Sequence, residues 1–318
     1  MEQKRFDIIC VGMALVDSIV RGFAPVPVTA SGYRALSGTL NVGGEAVNCA
    51  VAAAKLGLRA RICCALGMDA AGDMVLAALK QGGVDVDAVL RPEGYETPVS
   101  TLLVRTDGSR QSITNGAHRQ NFHPERRPDG LAGARVVCLG SLFRAPFDDY
   151  QALRGVLEAA RTEGSVIFAD TKLPSYGSPS LDDLSDLLPW IDYIFPNEDE
   201  ARHYTGQTEP EAMADELLRR GVRNAVIKLG GQGCLFKNGK LRIRLPAYPV
   251  AAVDATGAGD NFIAGFAAAL LRGLDCVEAL RFANACGAIC ATAVGASAAL
   301  RSREQVEQFL LKYESVSP

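Results

Sequence analysis

The stretch Val253-Asp-Ala-Thr-Gly-Ala-Gly-Asp260 runs straight into the apolar segment Asn261-Phe-Ile-Ala-Gly-Phe-Ala-Ala-Ala-Leu270. A glycine-rich turn ahead of a small-residue run predicts the start of a buried helix, from Ala258 to Arg272. The backbone N–H groups of Gly257, Ala258 and Gly259 then lack intrahelical partners, and the helix dipole adds partial positive charge. Such a turn holds anions. Phosphoryl transfer needs one, because charge builds on the equatorial oxygens of the migrating group. Asp260 closes the turn, where its carboxylate can face the same anion pocket. A helix N-terminus lowers the basicity of a carboxylate. In a loose transition state, however, the base need only position the attacking hydroxyl and take its proton late. A bare G-x-G-D reads equally well as a tight turn with a capping aspartate. The flanking Asp254, Thr256 and small-residue helix sharpen the signal towards chemistry.

The remaining chain supplies the frame. Short apolar runs at Phe6 to Val11, Arg61 to Leu66, Val136 to Leu139, Val166 to Ala169, Tyr193 to Phe195 and Ala225 to Lys228 read as buried strands. Between them lie helical or turn segments, clearest at Glu45 to Leu56 and Ala70 to Gln81, and two long helices close the chain, Ala258 to Arg272 and Cys276 to Val294. This alternation predicts a Rossmann-like α/β fold, a mostly parallel sheet with helices on both faces. Two segments break it. Residues 13–42 carry Pro25, Pro27 and hints of extended chain, and residues 97–118 hold two β-like runs around Asp107-Gly108. Both are assigned to a small β lid, leaving residues 1–12, 43–96 and 119–318 as the core.

Together, Asp254-Ala-Thr-Gly-Ala-Gly-Asp-Asn-Phe262 and Asn41-Val-Gly-Gly-Glu-Ala-Val-Asn-Cys-Ala50 resemble the two signatures of the ribokinase-like (PfkB) family of carbohydrate kinases, in the expected order. The resemblance spans essentially the whole chain and implies an α/β domain with a small β lid, ATP as donor and magnesium as cofactor. It implies Asp260 as catalytic base and the Gly257–Gly259 backbone as anion hole. Asn197 and Glu200 match an N-x-x-E motif tied to magnesium and phosphate placement, as suits a hard cation that keeps waters. Lys228, Gly230 and Gly233 match a nucleotide-side loop whose glycines allow close approach to a phosphate or ribose. Asn284 falls where the family places an adenine-side Asn. Asp17, Gly43, Gly44 and Asn48 match the sugar-binding positions, where carboxylate and amide groups give hydroxyls fixed partners. Asp254 and Thr256, with carbonyls near Ala291, Val294 and Gly295, match a monovalent-cation site, so potassium activation is also implied. A homodimer through the lid follows from the family and from exposed strand edges.

Ribokinase proper has a Lys where this chain has Glu45, and the lid ending Thr114-Asn-Gly-Ala-His118 also departs from it. Ribose is therefore in doubt. Lys172, at the C-terminal end of a strand, points towards the crevice where α/β ligands bind, and Arg144 occupies a similar place. Two cations beside a polyol pocket suit the carboxylate of a sugar acid. A nucleoside kinase of the same superfamily and a non-catalytic sugar-binding regulator remain as alternatives. An aromatic base platform would favour the first, and the lid region offers only Tyr33, Tyr95 and Phe122. The presence of Asp260, the anion-hole glycines and Glu200 argues against the second. A dinucleotide-dependent oxidoreductase needs G-x-G-x-x-G after the first strand, and a P-loop kinase needs G-x-x-x-x-G-K-[ST]; neither is present.

With a net charge of -3 over 318 residues and no basic stripe, nucleic acid is not an expected partner. No apolar run approaches a membrane span. Nine cysteines without C-x-x-C pairing point to a reduced, cytoplasmic protein without a structural metal.

Overall fold

The computed structural model describes residues 5–23, 34–106, 110–115, 122–174 and 178–314. Its strands are β1 (Phe6–Val11), β2 (Leu15–Phe23), β3 (Ser37–Gly43), β4 (Ala60–Cys63), β5 (Val99–Arg105), β6 (Arg110–Thr114), β7 (Ala134–Leu142), β8 (Val166–Thr171), β9 (Tyr193–Phe195), β10 (Asn224–Lys228), β11 (Cys234–Asn238) and β12 (Arg242–Leu245). Its helices are α1 (Glu45–Lys55), α2 (Ala70–Gln81), α3 (Tyr150–Thr162), α4 (Glu198–Thr205), α5 (Pro210–Arg219), α6 (Ala258–Leu271), α7 (Cys276–Cys290) and α8 (Arg303–Glu314).

The larger sheet has eight strands in the order β12-β11-β10-β9-β8-β7-β1-β4. From β10 to β4 every pairing is parallel, while β11 and β12 extend the edge antiparallel. Apart from Asp7, which pairs with Arg59 near the start of the strand, the residues of β1 are apolar and buried. Ile8 and Cys10 enter the core on one face, while Phe6, Ile9 and Val11 enter the core on the other. A strand buried on both faces has no polar side to alternate with.

Helix starts follow local signals. Asp69 caps α2 by accepting from the Gly72 amide at 2.7 Å, and Asp275 with Glu278 forms a capping box at α7. Helix α7 stops at Cys290, short of the expected Val294, and α8 follows it as a third closing helix.

A second sheet of four strands, β3-β2-β5-β6, stands apart from the first. Of the segments assigned to the lid, residues 24–33, 107–109 and 116–118 lie outside the described residues, and so does Tyr33. Tyr95 and Phe122 are buried in the core, 4% and 2% exposed, so neither offers a face to a base. Among the described residues no helix is long and apolar enough to cross a membrane.

Candidate active site

Helix α6 begins as its sequence requires. Gly257 is its N-cap, with φ of 76° and no side-chain cap. A Cβ at Gly257 would lie 2.3 Å from that of Ala296, so both its φ and its surroundings demand glycine. The first i→i−4 bond runs from the Asn261 amide to the Gly257 carbonyl (2.9 Å). The Ala258 amide turns back to the Ala255 carbonyl at 3.2 Å. Of the three amides expected to form the anion hole, that of Ala258 is thus engaged locally. Gly257, Gly259 and Asp260 supply the first-turn amides that an anion can take.

Asp260, 7% exposed, lies in the first turn of α6. Its Oδ2 accepts a hydrogen bond from Asn48 Nδ2 on α1 at 2.7 Å, across 212 positions of sequence. Burial raises the Asp260 carboxyl well above its ordinary value, and the charges of Asp170 and Glu45 push the same way, against Asn48 and Lys172. Isolation from water and the neighbouring carboxylates thus favour the protonated form, opposite in sign to the effect of a helix N-terminus.

Lys228 and Asp170 complete this end of the site. Lys228 ends β10 and its Nζ pairs with Asp170 Oδ1, near the end of β8, at 2.7 Å. A Cβ added to Gly259 would stand 3.0 Å from the same Nζ, so the ammonium lies against the α6 turn. Although burial opposes its charge, Asp170 and Glu200 raise the pKa of Lys228 and keep it protonated. Asp170 is a site residue that sequence reasoning passed over. Its signal was a carboxylate at the C-terminal end of a central parallel strand.

Asn197 and Glu200 form the capping box of α4. Glu200 Oε2 accepts from the Asn197 amide (2.9 Å) and from Thr171 Oγ1 (2.8 Å). Burial and the charge of Asp170 raise the Glu200 carboxyl. With Oε2 already accepting two bonds, the pair fits magnesium held through water rather than directly.

Beside Asn48 opens a cavity of about 200 Å³ between the smaller sheet and the residues around Asp254 and Gly295. Its polar walls are Asp17, Arg21, Asn41, Asn48, Asp254 and Thr256. Gly43 also lines it, and a Cβ there would come within 2.4 Å of Asp17 Oδ2. Burial raises the Asp17 carboxyl, with the charge of Glu45 adding to the effect. Gly44 does not line the cavity; it is the N-cap of α1.

The remaining predicted residues do not line the cavity, although the Lys172 charge acts on both Asp260 and Asp17. Lys172 Nζ pairs with Glu45 Oε1 at 2.7 Å. Against the cost of burial, that charge holds the Glu45 carboxyl down to about 2. Arg144 Nε donates to the Leu173 carbonyl at 2.6 Å. Neither cation lines the cavity. Asn284 on α7 donates to the Pro246 carbonyl (3.3 Å), and Gly230 opens a one-turn 3₁₀ segment after β10 that Gly233 closes as its C-cap.

Asp254 and Thr256, the residues matched to a monovalent-cation site, lie together, and the Asp254 carboxylate is held by several donors. Asp254 Oδ1 accepts from the Thr256 amide and hydroxyl, Oδ2 accepts from the Gly295 amide, and the Arg21 guanidinium stands 4.0 Å away. The Ala291 carbonyl already takes the amides of Val253 and Asp254.

The family model for pfkB family carbohydrate kinases matches residues 7–303. The chain is 27% identical over 283 residues to the probable fructokinase-5 of Arabidopsis thaliana, covering 84% of this chain and 87% of that protein. It is 29% identical over 292 residues to 2-dehydro-3-deoxygluconokinase of Bacillus subtilis (strain 168), covering 86% and 87%. Among solved structures, Arabidopsis thaliana ribokinase complexed with ribose and ATP superposes with a TM-score of 0.85 at 28% identity, covering 96% of this chain and 98% of that one.

Proposed function

Because the chain belongs to the pfkB family of carbohydrate kinases, we propose that it transfers the γ-phosphoryl group of ATP to a hydroxyl of a monosaccharide or sugar acid, with Asp260 as general base. One observation carries this assignment of roles. Asn48 lines the cavity and also donates to Asp260, so the base stands where a cavity-bound hydroxyl meets the α6 turn.

The sugar lies in the cavity with its hydroxyls on Asp17, Asn41 and Asn48. Asp260 accepts the proton of the attacking hydroxyl as the new O–P bond forms and the bond to the departing ADP breaks. The free amides of the α6 turn and the Lys228 ammonium offset the charge on the migrating group. Magnesium, when bound, neutralises phosphate charge, and Glu200 with Asn197 would hold it through water. Asn284 and the Gly230–Gly233 turn face the nucleotide side.

The test is ATP consumption over fructose, ribose, 2-dehydro-3-deoxygluconate, gluconate and nucleosides, and turnover of nucleosides alone would discard the reading. Among the described residues the aromatics of this region, Tyr95 and Phe122, are buried and give no base platform, which favours a sugar over a nucleoside.

The raised Asp260 carboxyl fixes the sign of a pH effect. Only the ionised base works, so kcat/KM falls on the acid side at a pH well above the 3.8 of an ordinary aspartate. Asn48→Ala removes a bond that favours the ionised form and moves that limb to higher pH. Asp170→Asn removes a like charge and moves it lower. A wild-type limb near 3.8 would contradict the buried environment.

We also infer a homodimer through the lid. β3 and β6 are its edge strands, with Leu40 60% and Ile113 67% exposed. Sedimentation as a monomer at micromolar concentration would refute it. All nine cysteines are free thiols, which favours a reducing, cytoplasmic compartment.

A further inference from the structure

Among the described residues Arg21 is the one cation that lines the cavity. Strand β2 presents Asp17, Ile19 and Arg21 to it at alternate positions, and each meets a partner on a neighbouring strand. Asn41 stands opposite Asp17, Leu102 opposite Ile19 and Val104 opposite Arg21. The inner face of the lid is therefore graded. It is hydrogen-bonding beside α1, apolar in the middle, and ends in a single guanidinium.

We propose that Arg21 binds the carboxylate of an acidic sugar whose hydroxyls are held by Asp17, Asn41 and Asn48, an inference that rests on the kinase reading above. The cations expected from sequence to do this do not line the cavity and are already engaged, Lys172 by Glu45 and Arg144 by the Leu173 carbonyl. Arg21 is not spent. Its Nη2 stands 4.0 Å from Asp254 Oδ2, beyond hydrogen-bond distance. The Asp254 oxygens are themselves satisfied by Thr256 and Gly295. Asp254 thus orients the guanidinium electrostatically and leaves its planar donors to a ligand. The Arg21 side chain is 42% exposed, and a substrate that fills the cavity takes it out of water. A desolvated guanidinium against an apolar wall is costly unless an anion meets it, and a carboxylate does so bidentately. A neutral sugar offers it nothing of equal strength.

The experiment compares wild type, Arg21→Gln and Arg21→Lys on 2-dehydro-3-deoxygluconate and fructose, by turnover and by calorimetric binding without ATP. Wild type prefers the acid. Arg21→Gln loses about 100-fold in kcat/KM on the acid, mostly through KM, as expected for losing a charge-assisted bidentate pair, and loses far less on fructose. Arg21→Lys falls between, because it keeps the charge without the fork. Equal losses on both substrates, or no wild-type preference for the acid in turnover or binding, overturn the proposal. Failure of the kinase reading looks different: acid binding that depends on Arg21 persists while no sugar is phosphorylated.

Discussion

Asp260→Asn folds, binds sugar and nucleotide, and loses kcat by about two to four powers of ten, the range for a removed general base. An amide at this position still offers an oxygen to Asn48 Nδ2, so the 2.7 Å bond to α1 survives and the cavity keeps its shape. Stability moves the other way. The Asp260 carboxyl is raised by burial and by its carboxylate neighbours. Its ionised form therefore weighs against the fold, increasingly as pH rises above the 3.8 of the unfolded chain. The variant escapes that penalty. Its thermal midpoint equals or exceeds that of wild type at pH 7 to 8, and the gain shrinks as pH falls towards about 4. Single-turnover assays with thermal melts across pH read both effects. Near-normal turnover would remove Asp260 from the role of base, and a lower midpoint at pH 8 would contradict the electrostatics assigned to it.

Lys228→Met has the second large effect, and it has two separable parts. The ammonium is buried against Asp170 at 2.7 Å and lies against Gly259 at the α6 turn. Removing it leaves the Asp170 carboxylate unpaired in the interior, at a cost of about 3–5 kcal/mol. It also takes away positive charge from the place where the phosphoryl group gathers negative charge, lowering kcat by about 10²- to 10³-fold. Asp170→Asn on top of Lys228→Met separates the parts, because it neutralises the orphaned carboxylate. The double variant regains most of the stability in urea titrations while kcat stays low. If activity returned together with stability, Lys228 would be a structural residue only.

These two residues mark how far the sequence reading reached. Asp260 was legible because its signals are local: a glycine turn, a helix start and a carboxylate lie within a few consecutive positions. Lys228 was legible only as part of a glycine loop on the nucleotide side. Its placement between Asp170 and the α6 turn depends on how β8, β10 and α6 pack. The sugar-acid reading shows the same boundary. Charge type and strand-end position pointed to Lys172 and Arg144, but a strand end does not say what a long side chain pairs with. Glu45, noted only as a departure from ribokinase, takes up Lys172. Arg21 went unremarked because an arginine within an irregular lid segment carries no local signature of a pocket.

The linear chain therefore determined the elements and their chemistry at short range. Strand β1 and helix α2 follow from apolar runs and a capping aspartate, and α6 from its glycine turn, because hydrophobic periodicity and backbone sterics act within one or two turns of chain. Tertiary structure alone decided which charges meet. Asn48 finds Asp260 across 212 positions and Lys228 finds Asp170 across 58. Cys10, Cys49 and Cys138, scattered in sequence, bring their sulfurs within 4.8 Å of one another. Sheet order fixes such neighbours, and it is set by the burial of two whole apolar faces, a sum over many residues that no single motif records.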